Sequence, residues 1–342
     1  MKQSLGLFVR LWAIVRVCQG LELGWFASMH NWPFVASLGY TLTEPPEKMI
    51  WFCTGTIING FHILSTQGCV EKTIYKVHKV KYVATLIRVW VGSGYALEQQ
   101  LPTGPSEAQY MAVSQIFVPT PEDTRRTLGF DNNQFQAKDY TYYYLDFSIL
   151  RLAKELNFNR FVQPARFDVR TFRDARQQYV PWKRRLDDET DYIPDCYMAG
   201  WGFNDNGDAE SKSTRLLYTR LKFTPRMKCD LAYCTNCSVC SNSTEHLPNL
   251  YWCFSSYLWS DTCPGDQGAP LFCPWFGYKT HIGRKVGAIL GIHSAKPGTC
   301  NQATLPSKFS AIWFAYNFIE RILDQGRFPP PPLDIGDPDW AY

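Results

Sequence analysis

Short runs of β-branched and aromatic residues recur along the middle of the chain, and turn-forming residues separate them. The clearest runs are residues 34–38, 56–64, 86–91, 115–118, 147–152, 216–223 and 286–292. A long stretch with apolar residues at helical spacing occurs only at residues 312–323, before the stop signal Gly326. Closely spaced short strands are typical of β-barrels and β-sandwiches. The pattern predicts an all-β protein with a C-terminal helix.

The first twenty residues have the composition of a secretory signal. Lys2 precedes an apolar stretch at residues 5–17, and small residues flank a cleavage position after Gly20. Arg10 and Arg16 interrupt this stretch, which leaves a retained amphipathic helix as the alternative. A membrane span needs about 20 apolar residues, and no segment of the chain comes close. The sequence therefore predicts a signal peptide at residues 1–20 and no membrane span.

Several segments interrupt the strand pattern and are predicted to be insertions. Residues 44–48 are a polar loop with two prolines, and residues 101–144 form a long segment that ends in a tyrosine-rich cluster. That cluster suits either anchor contacts with a partner or packing between parts of the fold. Residues 166–195 are highly charged with blocks of opposite sign, a pattern that predicts a solvated face.

The tail at residues 328–342 begins with Phe328 and four consecutive prolines, and it continues as an acidic, aromatic segment. Consecutive prolines favour a polyproline II conformation. Such a segment docks in an aromatic groove of a partner, or it lies on its own domain or in solvent as a stiff tail. The sequence leaves these alternatives open.

Composition and net charge narrow the classes of protein to which this chain can belong. The 342 residues carry 35 Lys and Arg against 31 Asp and Glu, a net charge of +4 that is too small to indicate a nucleic-acid partner. Aromatic residues make up 15% and charged residues 19%, which excludes a disordered chain. Twelve cysteines indicate an oxidising compartment, because most of them lack metal-ligand spacing.

Four ordered segments resemble the signature motifs of trypsin-like serine proteases (the chymotrypsin fold, peptidase family S1). They are similar to the strand and loop of the catalytic histidine, the segment of the catalytic aspartate, the Gly-Trp-Gly corner and the nucleophile loop. They lie at residues 53–69, 146–150, 196–202 and 261–271, and residues 31–38 fit the first strand. The resemblance implies two six-stranded antiparallel β-barrels with a C-terminal α-helix over residues 21–327, between the signal peptide and the tail.

The resemblance also implies four disulfides: Cys53–Cys69, Cys196–Cys273, Cys229–Cys253 and Cys263–Cys300. Three further cysteines remain in a short loop at positions 234, 237 and 240. With His246 nearby, the spacing of these cysteines resembles a zinc site. In an oxidising compartment, however, disulfide pairing is the favoured interpretation. No metal or other cofactor is therefore predicted. The same loop carries two N-glycosylation sequons, at Asn236 and Asn242.

Most of the residue types that carry out catalysis in the family are missing from the matching positions of this chain. Acyl transfer needs a serine hydroxyl, an imidazole that takes its proton and a carboxylate that orients the imidazole. Gly68 stands at the histidine position and Gln267 at the serine position, so Asp146 alone remains of the triad. Ser294 is placed by resemblance to hydrogen-bond Asp146. His293 is read as a wall residue, because nothing places a hydroxyl within its reach.

The neighbouring subsites are altered to different degrees. By resemblance Asp261 lies at the base of the substrate pocket, with Ser294 and Ser307 in its walls. Lys296 in the wall predicts a pocket occluded by the chain's own cation, because an unpaired buried carboxylate is costly. An open pocket is the alternative.

Two backbone features of the family are expected to survive these changes. The amides of Gly265 and Gln267 are expected to remain as oxyanion donors. If Leu21 is the first residue after signal cleavage, its amine is expected to pair with Asp266.

These observations together predict a secreted pseudoprotease: a non-catalytic homologue that acts as a binding, scaffolding or regulatory module for a protein partner. The expected interaction surfaces are residues 103–144, residues 166–195 and the tail. The alternative is a serine-type endopeptidase-like enzyme with displaced catalysis or with a thiol nucleophile such as Cys240.

Overall fold

The computed structural model of the chain describes residues 24–41, 49–74, 78–81, 83–95, 107–120, 122–123, 145–166, 181–189, 191–202, 213–233, 251–257, 260–263, 265–274, 287–295 and 305–323. The predicted signal peptide, both sequons, the loop with Cys234, Cys237 and Cys240, and the proline-rich tail lie outside these residues.

Strands dominate the described residues. They are β1 (Trp25–Phe26), β2 (Val35–Thr41), β3 (Met49–Asn59), β4 (His62–Ser65), β5 (Glu71–Ile74), β6 (His78–Lys81), β7 (Ile87–Val91), β8 (Gln109–Phe117), β9 (Ser148–Leu152), β10 (Cys196–Gly200), β11 (Leu217–Phe223), β12 (Tyr251–Ser256), β13 (Pro270–Cys273), β14 (Ala288–Ala295) and β15 (Ser307–Ala311). The helices are α1 (181–187), α2 (Arg226–Tyr233) and α3 (Ile312–Ile322). Short 3₁₀ turns occupy Gln67–Cys69 and Ala84–Leu86.

Two closed six-stranded antiparallel barrels form the molecule, as the resemblance implied. The first closes in the order β2–β3–β4–β9–β8–β7, and β5 pairs only with β6 among the described strands. The second runs β11–β10–β13–β14–β15–β12 and closes through pairing of β12 with β11, while β1 adds to the edge of β11. Along β11 the residues alternate between buried and more exposed, the period of two that a barrel wall requires.

Aromatic packing fixes the C-terminal helix against the second barrel. Trp313 of α3 meets Trp252 of β12 edge to face, with ring centroids 4.9 Å apart. Phe223 and Phe254 contact the same indole in T-shaped geometry. Edge-to-face ring pairs contribute about 0.5–1.5 kcal/mol each beyond their buried area. The apolar periodicity of residues 312–323 therefore predicted the helix correctly, because this face of α3 is buried.

Two sequence expectations are corrected by the structure. The apolar run at residues 56–64 crosses from β3 to β4 through a turn, in which the Asn59 side chain accepts a hydrogen bond from the Phe61 amide at 2.8 Å. The charged segment 166–195 is not a fully solvated face, since α1 lies within it. Lys183 of α1 is only 2% exposed.

Buried Lys183 is held by a carboxylate and an indole. Its Nζ lies 2.7 Å from Asp187 Oδ2 and 5.5 Å from the centroid of the Trp252 ring. Burial lowers the pKa of Lys183, and the charge of Asp187 partly opposes that effect. This ion pair orients α1 over the second barrel, which no charge pattern along the chain predicts.

Three disulfides lie within the described residues: Cys53–Cys69, Cys196–Cys273 and Cys229–Cys253. These are three of the four pairs that the resemblance implied. Cys263 is disulfide-bonded as well, and its expected partner Cys300 lies outside the described residues. Such crosslinks form and persist in oxidising compartments. Among the described residues, no helix is long and apolar enough to cross a bilayer.

Removal of the Cys196–Cys273 crosslink by paired alanine substitution is expected to destabilise the fold more than removal of Cys53–Cys69. The sequence separations are 77 and 16 residues. Restriction of the unfolded chain then predicts losses of about 4.5 and about 3 kcal/mol. Urea unfolding followed by tryptophan fluorescence measures both losses. A larger loss for the Cys53–Cys69 variant would contradict this account.

Candidate functional site

The residues singled out by sequence meet where the two barrels face each other. The first barrel contributes the turn that holds Gly68 and the residue Asp146 just before β9. The second barrel contributes Gln267, just before β13, and Ser294 on β14. Thr54 of β3 donates its backbone amide to the Gln267 carbonyl at 2.8 Å, which joins the two sides directly.

Three donors surround the carboxylate of Asp146. Its Oδ1 accepts hydrogen bonds from the backbone amides of Gln67 at 2.9 Å and Gly68 at 3.3 Å. Its Oδ2 accepts a hydrogen bond from the Ser294 hydroxyl, the partner expected from the resemblance. The residue is half-buried rather than fully buried. The carboxylate thus links the turn of the first barrel to β14 of the second.

Gly68, which the resemblance places at the histidine position, has open space beside its backbone. The residue is exposed, and its φ lies outside the left-handed region that favours glycine. A Cβ built on Gly68 would have Thr66 Oγ1 at 3.8 Å as its nearest neighbour. A side chain would therefore fit here without strain, so the backbone does not require glycine.

Gln267 directs its side chain back onto its own loop. The amide oxygen Oε1 accepts a hydrogen bond from the Gly265 backbone N–H at 2.7 Å. Gly265 and Gly268 have φ values of +95° and +84°, so the loop keeps the left-handed turns that aim its amides. The Gly265 amide was expected to be available to a ligand, and the structure corrects this expectation: the glutamine occupies it.

This side-chain contact is the feature that sequence reasoning missed. Short polar side chains commonly accept from the backbone amide two positions later, whereas Gln267 accepts from the amide two positions earlier. Glutamine is longer, and only the observed rotamer shows that Oε1 reaches the Gly265 amide. The one signal in the sequence was that Gln267, whose side chain can accept a hydrogen bond, lies two residues after Gly265, the expected oxyanion donor.

Hydroxyl groups of the first barrel hydrogen-bond the loop at residues 261–271 that contains Gln267. Thr54 Oγ1 donates to the Gly265 carbonyl at 3.2 Å, and Thr56 Oγ1 donates to the Gly268 carbonyl at 3.4 Å. Ser65 Oγ donates to the Thr54 carbonyl at 2.9 Å. All three side chains are buried. Buried hydroxyls that are fully bonded rigidify a site, so the loop is held in one conformation.

Asp266 is enclosed by backbone. It has no exposed surface, and it accepts hydrogen bonds from the amides of Gly202 at 2.8 Å and Cys263 at 2.9 Å. A Cβ at Gly200 or Gly202 would approach its carboxylate oxygens to 2.3 or 2.4 Å. The Gly-Trp-Gly corner therefore makes the space for this carboxylate. Leu21, its expected partner, lies outside the described residues.

Asp261 and Ser307, which the resemblance assigns to the substrate pocket, are buried in the second barrel. Asp261 is 1% exposed, and its Oδ1 accepts a hydrogen bond from the Thr262 amide at 2.8 Å. Ser307 is equally buried, and its hydroxyl bonds the Thr262 hydroxyl. Lys296 lies outside the described residues. The imidazole of His293 is buried against Phe309, with centroids 5.3 Å apart, as a wall residue would be.

The occluded-pocket hypothesis predicts weak binding of benzamidine, an arginine mimic. We expect no saturable binding at micromolar concentrations to the unmodified chain, because Lys296 would compete for Asp261. The variant Lys296→Ala is expected to gain binding, and Lys308→Ala serves as a control because Lys308 stacks on Tyr233 instead. Isothermal titration calorimetry measures all three. Micromolar binding to the unmodified chain would contradict occlusion.

The described residues contain no group of three or more His, Cys, Asp or Glu side chains that could hold a metal ion. The Cys234, Cys237 and Cys240 loop lies outside them.

Comparison with known sequences assigns the family. The sequence model of the family described as Trypsin matches residues 24–319, which include both barrels and most of α3. This chain belongs to the trypsin family.

Individual relatives are distant. Mouse kallikrein-1 is 24% identical over 263 residues, which cover 76% of each chain. Phenoloxidase-activating factor 3 of Holotrichia diomphalia is 23% identical over 71% of this chain and 56% of its own length. Human serine protease 41 is 22% identical over 56% of this chain and 51% of its own length. The chain thus spans about half the length of these last two relatives.

Proposed function

We propose that this trypsin-family chain is a secreted, non-catalytic homologue that works by binding other proteins. The observation that carries the proposal is the bond from the Gly265 amide to Gln267 Oε1. An amide cannot be activated as a nucleophile, and here it also occupies a donor that would stabilise an oxyanion. The site therefore has no nucleophile, and the Gln267 side chain occupies one of its hydrogen-bond donors.

The histidine side of the site supports the same proposal. A general base must lie within about 2.6–3.2 Å of the proton that it takes. Gly68 supplies no such group, and Asp146 is occupied by the amides of Gln67 and Gly68 and by the Ser294 hydroxyl. We assign Asp146 a structural role, in which it holds the two barrels in register.

We propose secretion on the chemistry of the crosslinks. Three disulfides within the described residues fit an oxidising compartment. Residues 1–20 have the composition of a signal peptide, and glycosylation at Asn236 and Asn242 would accompany export.

The name of one relative suggests how a non-catalytic chain would act. The Holotrichia protein is described as a factor that activates phenoloxidase. We propose that this chain likewise regulates another protein of an extracellular cascade, by contact rather than by cleavage. Residues 103–144, residues 166–195 and the tail at 328–342 are the surfaces proposed for that contact, because loops on a rigid β framework carry recognition.

Affinity capture from the extracellular fluid of the source organism tests the binding role. The bait is the intact chain, and the matched control replaces residues 124–144 with a Gly/Ser segment of equal length. We expect a partner that is retained in stoichiometric amount by the intact chain, released at least ten-fold faster from the control and recovered uncleaved. Recovery of partner fragments that a fluorophosphonate or iodoacetamide suppresses would instead show an enzyme with displaced or thiol-based catalysis.

A further inference from the structure

An exposed aromatic patch lies at the edge of the second barrel, formed by residues outside the triad-like positions. Phe26 of β1 and Tyr95 are 62% and 56% exposed. Arg215 joins them, and its guanidinium lies 5.1 Å from the centroid of the Phe26 ring and 5.5 Å from that of Tyr95. We call these three residues the Arg215 patch. Exposed large aromatic groups that cluster mark interaction sites.

The backbone beneath the Arg215 patch is fixed. Tyr95 and Arg215 face each other in an isolated antiparallel bridge, and the Leu216 amide donates to the Gly94 carbonyl at 2.6 Å. The Ser213 hydroxyl donates to the Arg215 carbonyl at 2.6 Å. The backbone that carries Tyr95 and Arg215 is therefore held in place before a ligand binds, which lowers the entropy lost on binding.

The Arg215 patch is cationic as well as aromatic. Arg215 makes no ion pair with a described carboxylate, whereas Arg220 on the same segment pairs with Asp195. Trp, Tyr and Arg are the residues that most often dominate binding energy at interfaces. An acidic, aromatic or proline-rich segment is the ligand with complementary chemistry.

The chain itself contains a segment with that chemistry. Residues 328–342 combine Phe328 and five prolines, four of them consecutive, with three aspartates and Trp340, and they contain no Lys or Arg. Polyproline II segments dock on aromatic surfaces at low entropic cost. We propose that this tail folds back and binds the Arg215 patch of its own domain, so that the prolines pack on the rings and the aspartates face Arg215.

The length of the tail permits this contact. Fifteen residues in polyproline II conformation span about 47 Å at about 3.1 Å per residue. A folded unit of this size is about 50 Å across. Tethering also raises the effective concentration to the millimolar range, so a weak contact suffices. The proposal does not rest on the proposed function, because the Arg215 patch is not among the surfaces proposed for partner contact, although the tail is one of them.

Hydroxyl-radical footprinting of the full-length chain tests the contact. In the tail variant, Pro329–Pro332 become glycine and Asp334, Asp337 and Asp339 become asparagine. We expect oxidation of Phe26 and Tyr95 to become at least three-fold faster than in the unmodified chain. Tyr192 and Met227, both 72% exposed elsewhere on the second barrel, serve as internal controls with unchanged rates.

The reciprocal variant tests the same contact from the side of the patch. Arg215→Glu is expected to make oxidation of Trp340 at least three-fold faster. Arg160→Glu is the matched control, because Arg160 is exposed and also stacks on an aromatic ring, that of half-buried Phe161 at 4.6 Å. Equal rates in the Arg215 and Arg160 variants would overturn the proposal. Protection that increases with protein concentration would assign the tail to a second copy and would also overturn it.

Discussion

The paired substitution Gly68→His and Gln267→Ser is expected to turn this chain into an acyl-transfer enzyme. A histidine fits at position 68, because a Cβ there has no neighbour nearer than 3.8 Å. Its imidazole would stand beside Asp146, whose carboxylate is already oriented by Ser294. Serine at position 267 removes the amide that occupies the Gly265 N–H and so frees that donor.

Hydrolysis of p-nitrophenyl acetate measures this gain without using the substrate pocket. We expect a burst of p-nitrophenol from acyl-enzyme formation and a turnover at least about 10³-fold above that of the unmodified chain. Each single variant is the control and is expected to stay at the background rate, because nucleophile and base act as a unit. Equal activity in the Gln267→Ser variant and the double variant would show that another base operates, against this account.

The second prediction with a large effect concerns the free energy of unfolding. It compares the glycine-to-alanine substitution at positions 202 and 68. Gly202→Ala is expected to destabilise the fold by about 3 kcal/mol, because its Cβ would lie 2.4 Å from the buried carboxylate of Asp266. Gly68→Ala places its Cβ in open space and is expected to change stability by no more than about 0.5 kcal/mol. Chemical denaturation of the two variants beside the unmodified chain measures the contrast.

Similar stabilities of the two alanine variants would contradict the role assigned to the Gly-Trp-Gly corner. The asparagine variant at Asp266 separates steric from electrostatic effects. It keeps the shape of the side chain but replaces one acceptor oxygen with a donor, which then opposes the amide of Gly202 or Cys263. We expect it to be destabilised as well, since a buried backbone amide would lose its acceptor.

The sequence predicted those parts of the fold in which local pattern and burial agree. Residues 216–223 alternate between the barrel wall and solvent, and β11 covers residues 217–223. The helix at residues 312–323 ends within one residue of the prediction, because its buried face has an unbroken apolar period. The turn at Asn59 was missed, although Asn59 and Gly60 form the Asn-Gly pair that favours a tight turn between two strands.

The features that could not be predicted from the sequence depend on tertiary contacts. Charge pattern placed Lys183 on a solvated face, yet Asp187 and the Trp252 ring hold it in the interior. The motif positions gave Gly68 and Gln267 as the lost catalytic groups. They did not show that Gln267 Oε1 bonds the Gly265 amide, because a side-chain rotamer is set by packing and not by spacing.

Intact-mass spectrometry of the unmodified chain after exposure to a fluorophosphonate tests the absence of catalysis most directly. Fluorophosphonates label only an activated hydroxyl, and the glutamine at position 267 has none. The account predicts no added mass on the native chain, with the Gly68→His and Gln267→Ser double variant as the positive control. Stoichiometric labelling of the native chain that heat denaturation abolishes would contradict it.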